Sequence, residues 1–187
     1  MSKAPSGREK LLVAAGAAVA GLVAGVAVAS GRRAAVEVTD SLAGDWLDGL
    51  TAEHLEIIEA FDLIEASKAK APARRRKQAA RLRSAIEKHA FQEETVVYPA
   101  ARVHGAEDAV NALVARQAEI KFQLYRLDQI EPDDPHWSAA IEALRRAVEQ
   151  VINGEEMEIF PLLRDKLDAK AAADLTALVY RSGSKLG

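Results

Sequence analysis

Imidazoles and carboxylates recur at helical spacing through the middle of this chain. His89 and Glu93 stand four residues apart, so on a helix they share one face. Glu94 follows, and the stretch closes on Tyr98 and Pro99. At an offset of 62 residues the frame repeats in Val151-Ile152-Asn153-Gly154-Glu155-Glu156-Met157-Glu158-Ile159-Phe160-Pro161. Both copies hold two adjacent glutamates, then four residues ending in an aromatic, then proline. A weaker echo at an offset of 63 sets Glu53, His54 and Ile57 against Arg116, Gln117 and Ile120. The histidines belong to the first half of this repeat; Gln117 and Val151 take their places in the second. Leu82, Ile86 and Val96/Val97 share the face of His89 and Glu93, which turns that face inward. An imidazole and a carboxylate buried without partners cost several kcal/mol. A metal ion satisfies both, and so does a closed hydrogen-bond network.

Helices must position these groups. The first long one starts near Thr51 as N-cap, carries Leu55, Ile58, Phe61 and Leu63/Ile64, and ends before Ala71-Pro72. The second begins at Pro72, exposes Arg74-Arg75-Arg76-Lys77 early, and is bent or stopped by Pro99. The third spans about 107–129. The fourth starts near Asp134-Pro135 and passes through Pro161 to about Leu167. A last helix covers about 170–182. Short loops between long helices predict an all-α, up-down antiparallel four-helix bundle made of two related hairpins. The boundaries are residues 1–48 for an N-terminal hydrophobic helix and connector, and 49–187 for the bundle with its C-terminal helix.

The order of a His opening the first helix, H-x-x-x-E-E-x-x-x-x-P on the second and E-E-x-x-I-F-P on the fourth resembles the hemerythrin-like, HHE cation-binding family over about residues 50–170. In that family two irons lie between the four helices, bridged by two carboxylates. The resemblance implies His54 and His89 as ligands of the first iron, and Glu93 with Glu156 as the bridging carboxylates. Glu155 is the alternative register. It also places Gln117, Lys121 and Val151 where the second iron's histidines stand. Valine cannot ligate and a protonated lysine repels a cation. The resemblance therefore implies a reduced, mononuclear non-haem iron site that senses or handles iron, dioxygen or a related small molecule. Manganese and zinc also suit the donor set. Reversible dioxygen carriage, which shares the electrons of two irons, is not expected.

Two other readings stand beside this one. The site is vestigial in the first, and the protein is a metal-free helical scaffold in which Lys121 pairs with a bridging glutamate. In the second it is a small redox enzyme acting on peroxide or nitric oxide. Catalysis is neither demanded nor excluded by the sequence. Tyr98 and Tyr125 are expected in the core or at the pocket wall. His104 reads as a loop residue, His136 as exposed, Trp137 as a packing anchor and Arg74–Lys77 as a solvated face.

The absence of cysteine among 187 residues excludes disulfides, thiolate catalysis and Cys-ligated metal. A net charge of −3 gives no general attraction to nucleic acid. No phosphate-binding glycine loop or nucleophile elbow is present. Residues 11–30 carry no charge and are flanked by Arg8, Lys10, Arg32 and Arg33. Their length suits a single membrane anchor, with the side undetermined. A cleaved signal peptide ending at Ala27-Val28-Ala29 is a second reading. A third is a helix of a cytoplasmic protein that packs on the bundle or on a second copy through Gly21 and Gly25.

Overall fold

A computed structural model describes residues 44–67 and 71–185; the apolar run at 11–30 lies outside them. The described chain is helical, with α1 (Trp46–Glu65), α2 (Pro72–Gln92), α3 (Tyr98–Val103), α4 (Glu107–Asp128), α5 (Trp137–Gly154), α6 (Phe160–Lys166) and α7 (Ala169–Gly183). It contains no strand. A wider π turn, Glu93–Val97, joins α2 to α3 without a break, and another, Glu155–Ile159, joins α5 to α6. The bundle thus has four rods: α1, α2–α3, α4 and α5–α6. α1 packs on α2 and on α5, and α4 packs on α5. α7 lies across α1, α2 and the first π turn.

Local chemistry sets the rod ends. α1 begins five residues before the Thr51 expected from sequence. Gly44 turns the chain at φ +78°, where a side chain is strained, and Asp45 accepts from Leu47 N–H at 2.9 Å and Asp48 N–H at 3.0 Å. Trp46 then opens the buried stripe. The fourth rod starts at Trp137 rather than near Asp134, because Asp134 folds back to accept from the His136 N–H at 2.7 Å. Asp168 caps α7 by accepting from Ala171 N–H at 2.8 Å.

Neither Pro99 nor Pro161 stops its helix. Each lacks an N–H, and each follows a π turn in which the bonding steps from i−4 to i−5. Tyr98 N–H donates to the Glu93 carbonyl, and Phe160 N–H to that of Glu155. The wider turn keeps residues four apart on one face, so Glu93, Val97 and Ala101 all point inward, as do Glu155, Ile159 and Leu163.

Every rod presents an apolar stripe to the core. On α1 it runs Trp46, Leu50, His54, Ile57, Phe61, Ile64; on α4 it runs Val110, Leu113, Gln117, Ile120, Leu124, Leu127. α2 contributes Leu82, Ile86 and His89, and α5 contributes Ile141, Leu144, Val148 and Val151. The polar members of these stripes fall at one level and interrupt an otherwise hydrocarbon core. Outside it, Arg145 ties α5 to α1 through Asp62 at 2.7 Å and Glu65 at 2.8 Å. Arg75, expected on a solvated face, is instead buried: it donates to the Pro132 carbonyl and lies 4.1 Å from the centre of the Trp137 ring. Tyr125, expected in the core or at the pocket wall, is exposed.

Candidate metal centre

Three rods supply the four donor groups of the polar level. His54 sits on α1 between Leu50 and Ile57 of the buried stripe. His89 ends the stripe of α2, and Glu93, one turn on, opens the first π turn. Glu155 opens the second π turn, one turn beyond Val151. All four are buried, and one donor atom from each lies within 4.8 Å of the others.

Inner and outer atoms of this cluster are treated oppositely. The outer atoms are bonded. His54 Nδ1 meets Glu156 Oε1 at 2.7 Å, and His89 Nδ1 meets Glu53 Oε2 at 3.0 Å. Gln117 Nε2 donates to Glu93 Oε2 at 3.1 Å, and the Tyr98 hydroxyl donates to Glu155 Oε1. The inner atoms are His54 Nε2, His89 Nε2, Glu93 Oε1 and Glu155 Oε2, and none has a hydrogen-bond partner. They are near one another: His89 Nε2 is 3.1 Å from Glu93 Oε1 and His54 Nε2 is 3.4 Å from Glu155 Oε2. These pairs attract but are misaligned for hydrogen bonding. A carboxylate on each Nδ1 fixes the N–H there and aims the lone pair of Nε2 inward, the arrangement of metal-ligating histidines. Phe160 stacks on His54 with ring centres 5.6 Å apart, which holds the imidazole plane.

Without an ion, protons mediate these contacts. Burial alone would lower both histidines. The carboxylates of Glu155 and Glu93 outweigh it for His54 and raise its pKa to about 9. Glu93 and Glu53 do the same for His89 and raise it to about 10. Glu93 is pulled below the usual carboxylate range, because His89 and His54 outweigh its burial. Glu155 moves up, through burial and then through repulsion from Glu93. Tyr98 is pushed far up by burial and by the two glutamates, so it remains a donor. Glu53 falls despite its burial, held by His89 and by Lys88, whose Nζ is 2.8 Å away.

The structure places His54, His89 and Glu93 together, with the alternative register, Glu155, on the fourth rod. Glu155 joins the cluster, while Glu156 stands outside it on the far nitrogen of His54. The stripe of α5 is the reason: from Val148 and Val151 the next inward position is Glu155, and Glu156 lies about 100° further round. Gln117 and Val151 are buried beside the cluster, Gln117 as a donor and Val151 as hydrocarbon. Lys121 does not reach an inner glutamate. It pairs with Glu94 at 2.6 Å near the surface. The bonds made by Glu53 and Gln117 were not foreseen from the sequence. Glu53 carries no spacing signal toward His89, since the two lie on different rods.

A model of the hemerythrin HHE cation binding domain family matches residues 46–163. Among solved structures, the crystal structure of a hemerythrin HHE cation binding domain-containing protein from Mycobacterium kansasii aligns with a TM-score of 0.69 at 16% identity. The alignment covers 76% of this chain and 87% of that one, a likeness of fold. No curated protein matches the chain.

Proposed function

The chain belongs to the hemerythrin HHE cation-binding family, and from that premise we propose that it is a non-haem iron-binding domain holding one ion between His54, His89, Glu93 and Glu155. Through that ion it senses or handles dioxygen or a related small molecule. The observation that carries the reading is the division of the cluster, whose inner donor atoms have no partner and whose outer atoms are each bonded. A hydrogen-bonded polar network would satisfy the inner atoms too.

Two imidazole nitrogens and two carboxylate oxygens fit a first-row divalent ion, and the two negative charges balance its own. When bound, ferrous iron in such a set supplies open coordination positions and one-electron chemistry. The protein's part is positional. Glu53 and Glu156 hold the histidine tautomers, Phe160 holds the ring of His54, and Tyr98 and Gln117 hold the carboxylates. Support for a single ion comes from the same bonds. The oxygen of each glutamate left over for a second metal is taken by Tyr98 or by Gln117, and Val151 offers no ligand.

Elemental analysis and anaerobic titration with ferrous iron test this. One ion per chain is expected, with affinity reduced at least about 100-fold in His54→Ala and in His89→Ala. Two ions per chain, or no uptake of iron, manganese or zinc, would overturn it; the latter result is the one a metal-free scaffold gives.

The reading includes a membrane tether through residues 11–30, supported by their length and lack of charge. No described helix is long and apolar enough to cross a membrane. The full chain is expected in the membrane fraction, and a chain beginning at Gly44 in the soluble one. A full chain that stays soluble and self-associates would replace the tether with an oligomerising helix.

A further inference from the structure

We propose that metal reaches the buried cluster from the His54 side, through the groove between α1 and α6, and that Glu156 is the carboxylate that passes it inward. The proposal rests on the reading that the cluster holds an ion. The side chains of the four donor residues are almost wholly buried, so an ion needs a route. Two sides are closed. Toward His89, α7 lies across α1, α2 and the first π turn, and Glu53 is held between His89 and Lys88. Toward α4, Gln117, Ile120 and Val151 leave a gap of about 10 Å³, no more than a water molecule needs.

The His54 side differs. A groove of about 850 Å³ opens there, its walls including Leu47, Ala52 and Leu55 of α1 and Arg164 of α6. Glu156 and Phe160 also line it, and both touch His54. Glu156 is the link: its side chain is 43% exposed, yet Oε1 is bonded to His54 Nδ1. The wall between groove and cluster is thus one imidazole and the ring stacked on it. Asp48, Asp165 and Glu156 face the groove against the single cation Arg164, a balance that draws a hydrated divalent ion rather than an anion. Rotation of Glu156 away from His54 frees the imidazole to turn toward an ion held at the groove floor. On the other side the orienting carboxylate Glu53 is less exposed, at 19%, and is held by Lys88 as well as by His89.

Stopped-flow mixing of the full chain with ferrous iron under anaerobic conditions gives the loading rate, and a chromophoric ferrous chelator gives the removal rate. Ala52→Trp fills the groove from an exposed position. It is expected to slow loading and removal alike by about tenfold or more, with affinity kept within about threefold. Leu55→Trp is the second filling variant, and Val114→Trp, on a different face, leaves both rates unchanged. Glu156→Gln is expected to slow loading by about 100-fold, more than its loss of affinity of about tenfold, so that removal slows too. If both filling variants bind one ion and load at the wild-type rate, the route is wrong. If Glu156→Gln loads normally and only releases faster, Glu156 positions His54 and is no gate. If the wild-type chain takes up no iron, the reading of the cluster itself fails and the route falls with it.

Discussion

Which nitrogen of an imidazole offers its lone pair is decided by what touches the other nitrogen. Here Glu53 and Glu156 make that choice for His89 and His54, and they leave the inner nitrogens, with Glu93 and Glu155, as the donor set. The adjacent pair Glu155 and Glu156 therefore separates two roles. Glu155→Gln removes a charged donor and is expected to weaken ferrous binding by about 100-fold or more, whereas Glu156→Gln keeps a hydrogen-bond acceptor for His54 and costs about tenfold. Equilibrium titration of the two variants checks this, and equal losses would put both carboxylates on the ion. The two histidines and Glu93 were legible from sequence because i, i+4 spacing and an internal repeat mark them. The inward glutamate of the fourth rod was legible too: the offset of 62 residues aligns Glu93 with Glu155, and family analogy led to Glu156 instead. Glu53 was hidden because its partner is set by the packing of α1 against α2, which no local pattern encodes.

At the scale of elements, the two π turns do what an ordinary helix cannot. Glu93 and Glu155 each open one, and the extra width keeps the next residues of the stripe facing the core after a step of four. Proline two residues after each turn withholds the N–H that would restore regular bonding. From sequence Pro99 reads as a bend or stop, while the fourth helix reads as passing through Pro161. A break and a π turn share that signal, and only the continued burial of Ile159, Phe160 and Leu163 separates them. Met157 lies in the second turn with 74% of its surface exposed, so its side chain carries little of the packing. Deleting Met157 leaves Ile159 three residues and Leu163 seven residues after Glu155, steps that an ordinary α-helix keeps on one face, so the rod returns to α bonding with its stripe still inward. The deletion is expected to cost no more than about 1 kcal/mol. Glu155, upstream of the deletion, keeps its inward position. Chemical denaturation measures the change, and a loss of about 3 kcal/mol or more would mean that the extra residue of the turn is needed to bury the three side chains.

For the molecule as a whole, the cluster links folding to pH, and a metal ion reverses the sign of that link. In the metal-free chain the folded pKa values of His54 and His89 are raised from 6.5 to about 9 and about 10. Their stabilisation is complete below pH 6.5 and is lost as pH rises toward 10, because the folded state then holds protons that the unfolded chain has released. Glu155, also raised, acts in the same direction from a lower start: its stabilisation is complete below pH 4.5 and is lost as pH rises above it. Glu93 and Glu53 are lowered, so their contribution is present above pH 4.5 and fades in acid. Stability of the metal-free protein should thus be greatest near pH 4.5 and decline above it, and Tm should fall by about 5 °C or more from pH 6 to pH 9. With iron bound, the inner nitrogens and oxygens carry no protons, and the unfolded state binds more protons than the folded one near neutral pH. Stability then rises with pH up to about 6.5 and stays level, and saturating metal adds RT ln(1 + [L]/Kd) throughout. Thermal unfolding from pH 5 to 9, in chelator and in excess ferrous iron without oxygen, should give Tm curves of opposite slope between pH 5 and 6.5 that diverge further above it. Parallel curves would mean that metal and protons do not compete for the same four atoms.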